Sequence, residues 1–175
     1  IRLKGTLEEH YAKPAGRILD RQATALERIR RGIEVITKEG NDDVLEAFRK
    51  SQEAMLRQFL WSEASREPYN LGEGSTDDID VWTKEHATNP SWRPFQLAFQ
   101  LLVIETLVDP GVPERDLLDL LWFPTGGGKT EAYLALSAFE IILRRMKYGS
   151  IGGGTTVLMR YTLRLLTSQQ FERCA

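Results

Sequence analysis

Cysteine is almost missing from these 175 residues; the chain has one, Cys174. A lone thiol excludes an internal disulfide and fits a reducing compartment. Histidine is scarce as well. His10 and His86 are far apart in sequence and have no cysteine beside them, which argues against a zinc site. No apolar run reaches the roughly 18 residues of a membrane span, and no signal pattern opens the chain. The expected location is cytoplasmic, with no membrane partner. A net charge of −2 removes any overall basic excess of the kind that marks nucleic-acid binders.

Composition is otherwise ordinary. With 42% hydrophobic and 27% charged residues the chain is globular and can bury a core. Charge is unevenly spread. Residues 1–90 hold 14 basic and 17 acidic side chains. Residues 140–175 reverse this: Arg144, Arg145, Lys147, Arg160, Arg164 and Arg173 stand against Glu140 and Glu172. That local excess suits phosphate, although a solvated helix face has the same composition.

Apolar spacing lays out the elements. Residues 17–39 repeat Leu19, Ala23, Leu26, Ile29, Ile33 and Ile36 at intervals of three and four, which predicts an amphipathic helix. Gly40 is its expected C-cap, and Asn41 or Asp42 the cap of a second helix to about residue 65. So short a connection predicts an antiparallel helical hairpin over residues 1–66. Residues 67–91 carry Pro68, Gly72, Gly74 and Asn89-Pro90 and read as a linker. Asp77, Asp78 and Asp80 within it read as a solvated loop. A buried helix follows from Pro94 to the Asp109-Pro110-Gly111 stop. Strands are expected at 117–123 and 155–161, with helices at 131–146 and 163–174. Strands alternating with helices predict an α/β fold with a parallel sheet and right-handed crossovers over residues 92–175.

The chemistry sits between the first strand and its helix. Residues 123–130 read Phe-Pro-Thr-Gly-Gly-Gly-Lys-Thr. A glycine turn at a helix start gathers backbone N–H groups on one spot, and the helix dipole favours an anion there. Gly126, Gly127 and Gly128 let backbone approach closely. Lys129 supplies a flexible point charge for the β- and γ-phosphates. The Thr130 hydroxyl suits Mg²⁺, which prefers oxygen ligands. Thr125 and Glu131 flank the set. The strict phosphate-loop pattern asks for glycine where Phe123 stands.

Pro-Thr-Gly-x-Gly-Lys-Thr resembles motif I of superfamily 2 helicases and translocases. Arg93-Pro-Phe-Gln96 is similar to the Arg-Pro-Tyr-Gln element ahead of that motif, with Phe95 at the tyrosine position. Residues 159–170 resemble motif Ia, with Tyr161 in place of proline and Arg164 one residue late. The resemblance implies the first part of a RecA-like P-loop NTPase domain. It also implies that Gln96 reads the adenine edge with Arg93 assisting, that Lys129 and Thr130 serve ATP hydrolysis, and that Arg160, Thr162 and Arg164 meet the DNA backbone.

The wording of residues 121–133 and 159–167 is closer to the DrmA family, helicase subunits of the bacterial DISARM antiphage system. That likeness implies ATP and Mg²⁺ as cofactors, DNA as substrate and DrmB as partner, with a methyltransferase in the same system. The chain starts at Ile1 and stops at Ala175 in mid-pattern, so it reads as a fragment. The acidic pair that completes magnesium binding and the second RecA-like lobe are expected beyond it, which leaves the fragment alone without turnover. Two other readings remain open: a P-loop switch or scaffold without motor activity, and a helical interaction module joined to a degenerate loop.

Overall fold

The computed structural model describes residues 9–64, 90–124 and 126–160. Four helices carry it: α1 (Glu9–Thr37), α2 (Asp42–Ala64), α3 (Pro94–Val108) and α4 (Lys129–Tyr148). A 3-10 turn, Pro113–Asp116, lies between α3 and α4, and another, Gly149–Gly152, follows α4.

Local chemistry accounts for the helix ends. Gly40 takes φ +85° between α1 and α2, a conformation L side chains avoid. The Asn41 amide donates to the Val35 carbonyl at 2.8 Å, tying the start of α2 to the last turn of α1. Asp42 and Asp43 then sit in the first turn of α2, where acids suit the helix dipole. Pro94 begins α3, as its fixed φ allows. The Arg93 backbone N–H donates to Gln96 Oε1 at 2.8 Å, one half of a capping box.

One core joins all four helices. Ile36 of α1, Val44 and Ala47 of α2, Ile104 of α3, and Phe139 and Leu143 of α4 are buried together. Burial of Phe139 and Ile104 contributes about 1.5–3 kcal/mol each. α1 packs mainly on α3, and α2 on α4. The buried face of α1 is rotated from the expected stripe: Leu26 and Ile33 are nearly half exposed, while Arg28, Gly32 and Ile36 face inward. Gly32 is the reason. A Cβ there would lie 1.8 Å from the Leu101 carbonyl oxygen, so α3 approaches α1 where α1 is thinnest. Packing went to the face without a side chain rather than to the one with the most apolar area.

The expected parallel sheet is overturned. Among the described residues there is no strand, neither at 117–123 nor at 155–160. The helical elements flank no sheet among the described residues, which conflicts with the α/β beginning of a RecA-like domain. The backbone at Leu117 is extended, with φ −84° and ψ 143°. Yet Leu118 is 95% exposed, Trp122 87% and Leu158 80%. Strands of a parallel sheet are covered on both faces. A run of apolar residues expresses the tendency to extend and be buried, but a strand also needs a ladder partner. Neither segment has one among the described residues. Tyr161 and the helix expected at 163–174 lie outside them, as does the linker over 67–89.

Candidate functional site

The glycine run turns tightly into α4. Gly126 has φ +76° and Gly128 φ +86°. Gly127 closes the turn by donating its N–H to the Pro124 carbonyl at 3.1 Å. Its constraint is contact rather than torsion: a Cβ would stand 2.7 Å from the Phe123 ring and 2.9 Å from the Pro124 oxygen. Gly128 is the N-cap of α4, and Lys129 and Thr130 begin its first turn. N–H groups at a helix start have no carbonyl one turn back. Those of Gly128, Lys129 and Thr130 therefore form a donor set at the positive end of a 20-residue helix.

The carbonyls of the same loop are turned inward. Arg93 Nη1 donates to Gly127 O at 2.9 Å, and Gln96 Nε2 donates to Gly128 O at 2.7 Å. Lys129 Nζ donates to Phe123 O at 2.7 Å and Pro124 O at 3.0 Å. Side-chain cations and amides thus hold the acceptors, leaving N–H donors at the helix mouth. The Phe95 and Phe123 rings stack at 3.9 Å with 17° between planes, bracing the loop against α3.

Arg93 and Gln96, chosen from the sequence as nucleotide contacts, are thus brought to the glycine loop and bonded to it. The Gln96 amide is buried and engaged at both ends within the protein. Phe95, at the position of a stacking tyrosine, meets a protein ring. Glu131 is half-buried in the first turn of α4, its carboxylate alongside Gly128. Arg160 is exposed, in neither helix nor strand. Thr125, Thr162 and Arg164 lie outside the described residues.

Sequence reasoning missed the anchors behind the loop. Arg28 of α1 forms a two-pronged ion pair with Asp119, at 2.6 and 2.7 Å. Arg31 donates to Glu105 at 2.9 Å and to Glu114. The hydrogen bond to Asp119 raises the Arg28 pKa despite opposing burial, and the bond to Glu114 does the same for Arg31. That Arg31 bond also holds Glu114 below the usual carboxylate range. Arg115 donates to the Thr106 carbonyl at 2.6 Å. The segment leading into the glycine loop is therefore fixed to α1 and α3. A visible signal existed for Arg28, at i−4 from Gly32 and i−8 from Ile36 on one helical face. An open recess between α1 and α3, lined by Arg31, Glu34, Lys38 and Glu105, lies away from the loop. Its arginine is already committed to two carboxylates.

Among the described residues no group of three or more His, Cys, Asp or Glu is placed to hold a metal. No helix there is long and apolar enough to cross a membrane.

Comparison with known proteins gives a clear match. The chain is 45% identical over 161 residues to the DISARM protein DrmA of Bacillus paralicheniformis. The match covers 89% of this chain and 14% of that protein. It bears out the likeness read from the loop and from residues 159–167, and extends it into the N-terminal helices. No family model matches, and no solved structure does.

Proposed function

We propose, from a chain similar to DrmA along 89% of its length, that residues 126–130 bind the triphosphate of ATP within a DISARM antiphage-defence protein. One observation carries the reading. The loop's carbonyls are held by Arg93, Gln96 and Lys129, while the first-turn amides of α4, with no carbonyl one turn back, belong to the same turn that carries the Lys129 side chain. A phosphate oxygen is a stronger partner for an ammonium than a neutral carbonyl. Lys129 would therefore exchange Phe123 and Pro124 for the β- and γ-phosphates. Thr130, half-buried beside it, would give Mg²⁺ one oxygen ligand, the phosphates supplying others.

In the longer protein this binding would serve ATP hydrolysis coupled to movement on DNA, as a superfamily 2 helicase or translocase, with DrmB as partner. Arg160, Thr162 and Arg164 are the proposed contacts to the DNA backbone. Charged and hydroxyl donors at such positions fix register on phosphate without reading sequence. The test is ATP hydrolysis by the intact protein with and without single- and double-stranded DNA. Stimulation by DNA that disappears in Lys129→Ala supports the motor. ATP binding without DNA-stimulated turnover would leave a nucleotide switch and remove the motor.

A further inference from the structure

One side chain outside the glycine loop bonds a neighbour of each support of that loop. Gln52 lies in the third turn of α2. Its Oε1 accepts the Trp92 indole N–H at 2.7 Å. Its Nε2 donates to Gln100 Oε1 at 3.0 Å and to Ser51 Oγ at 3.2 Å. Ser51, fully buried, donates its hydroxyl hydrogen bond to the Phe48 carbonyl at 2.7 Å, so the polar group is anchored in α2. Trp92 immediately precedes Arg93, which holds Gly127. Gln100 is one helical turn beyond Gln96, which holds Gly128. The Gln52 amide therefore clasps α3 on either side of the two residues that hold the loop.

The amide's orientation is forced. An indole N–H only donates, so the oxygen of Gln52 must face Trp92 and its nitrogen must face Gln100. That in turn points Gln100 Oε1 at α2 and leaves buried Gln100 Nε2 with no protein acceptor among the described residues. A leucine at position 100 would fit the apolar surroundings of α3 without that orphaned donor. Trp92 is fixed from its other side as well: its ring packs on Met55 of α2 and on Leu134 and Ala135 of α4. The start of α3 is thus wedged between α2 and α4 with its rotation set by one hydrogen-bonded amide.

We propose that Gln52 is a positioning residue for the glycine loop: by fixing Trp92 and Gln100 it sets the geometry with which Arg93 and Gln96 hold Gly127 and Gly128. Without it, α3 keeps its apolar packing but loses the register of its first turn. The loop carbonyls then drift, and the α4 donors lose their fixed aim. The helices before the linker thereby take part in the site instead of only covering it. For its ligand this inference rests on the nucleotide reading above; for its geometry it does not.

The experiment uses the intact protein with Gln52→Leu, which keeps the volume and removes both bonds. Gln52→Glu keeps the acceptor for Trp92 and removes the donor to Gln100, and Trp92→Phe keeps the ring and removes the indole proton. Two readouts are taken: amide hydrogen exchange over residues 126–131 without ligand, and affinity for magnesium ATP. Gln52→Leu is expected to speed exchange there several-fold while α1 is unchanged, and to weaken ATP roughly tenfold. The same substitution in an Arg93→Ala, Gln96→Ala background is expected to add almost nothing, since both routes to the loop are already cut. A general loosening would weaken ATP by the same factor in both backgrounds, and that result overturns the proposal. So does unchanged exchange over 126–131 in a folded Gln52→Leu or, should that variant not fold, in Trp92→Phe. If exchange rises as expected but the wild type does not bind ATP, the positioning stands and the nucleotide reading falls.

Discussion

Gly128 shows how much one missing side chain decides. Its φ of +86° puts it where an L residue is strained, and a Cβ would meet Gln96 Nε2 at 2.6 Å. Gly128→Ala must therefore strain the turn and displace the glutamine that holds its carbonyl. The expected cost is about 1–3 kcal/mol, read by denaturant unfolding, with weakened ATP binding alongside. Gly126→Ala meets no neighbour within 4 Å and carries the torsional strain alone, so it should be milder in both assays. At this scale the sequence was most legible. A glycine run before Lys-Thr specifies the chemistry of its own backbone, and the structure brings Arg93 and Gln96 to it. The use of those two side chains was not legible. Their bonds to Gly127 and Gly128 are tertiary, from α3 to the head of α4, and no local pattern encodes them. Gln100 left a trace: a glutamine four residues after Gln96 in an otherwise apolar helix calls for a partner.

Among elements, helices were legible and strands were not. The expected helix at 131–146 is α4, and the stops at Gly40 and Asp109 fall where capping chemistry puts them. A helix closes its hydrogen bonds within itself, so its signal is local. A strand closes them with another segment, so residues 117–123 could be largely apolar without forming one. Helix faces were read less well than helix bounds, because contact follows shape as well as hydrophobicity. Gly32 is the test of that statement. Gly32→Ala would drive a methyl into the Leu101 backbone, where no side chain can move aside. The expected destabilisation is roughly 1–3 kcal/mol by thermal or denaturant unfolding, with α1 and α3 forced apart. Gly16→Ala, in the same helix with open space around it, should be neutral or slightly stabilising.

For the whole molecule, the ion pairs between α1 and the segment before the loop hold the N-terminal helix to the site. Asp119→Ala would leave the largely buried Arg28 guanidinium unpaired. A loss of about 1.5–3 kcal/mol is expected by denaturant unfolding, and the loop's entry would be released from α1. Acid probes the neighbouring pair. Glu114 is held below its usual range, so its contribution is complete above the unfolded carboxylate value and fades as pH falls through its lower folded value. Between about pH 5 and pH 3 the wild type should lose stability more steeply than Glu114→Gln, whose side chain carries no titrating charge. Parallel curves would remove the pair from the account.

All of these effects converge on the head of α4, and equilibrium binding of magnesium ATP to the intact protein and to Lys129→Ala tests it most directly. The Lys129 side chain is half-buried and, among the described residues, bonds two carbonyls of its own loop, so its removal should leave the helical fold intact. The predicted result is saturable binding by the wild type and none measurable by an equally helical, equally heat-stable Lys129→Ala. Equal affinity in the two proteins would contradict the account.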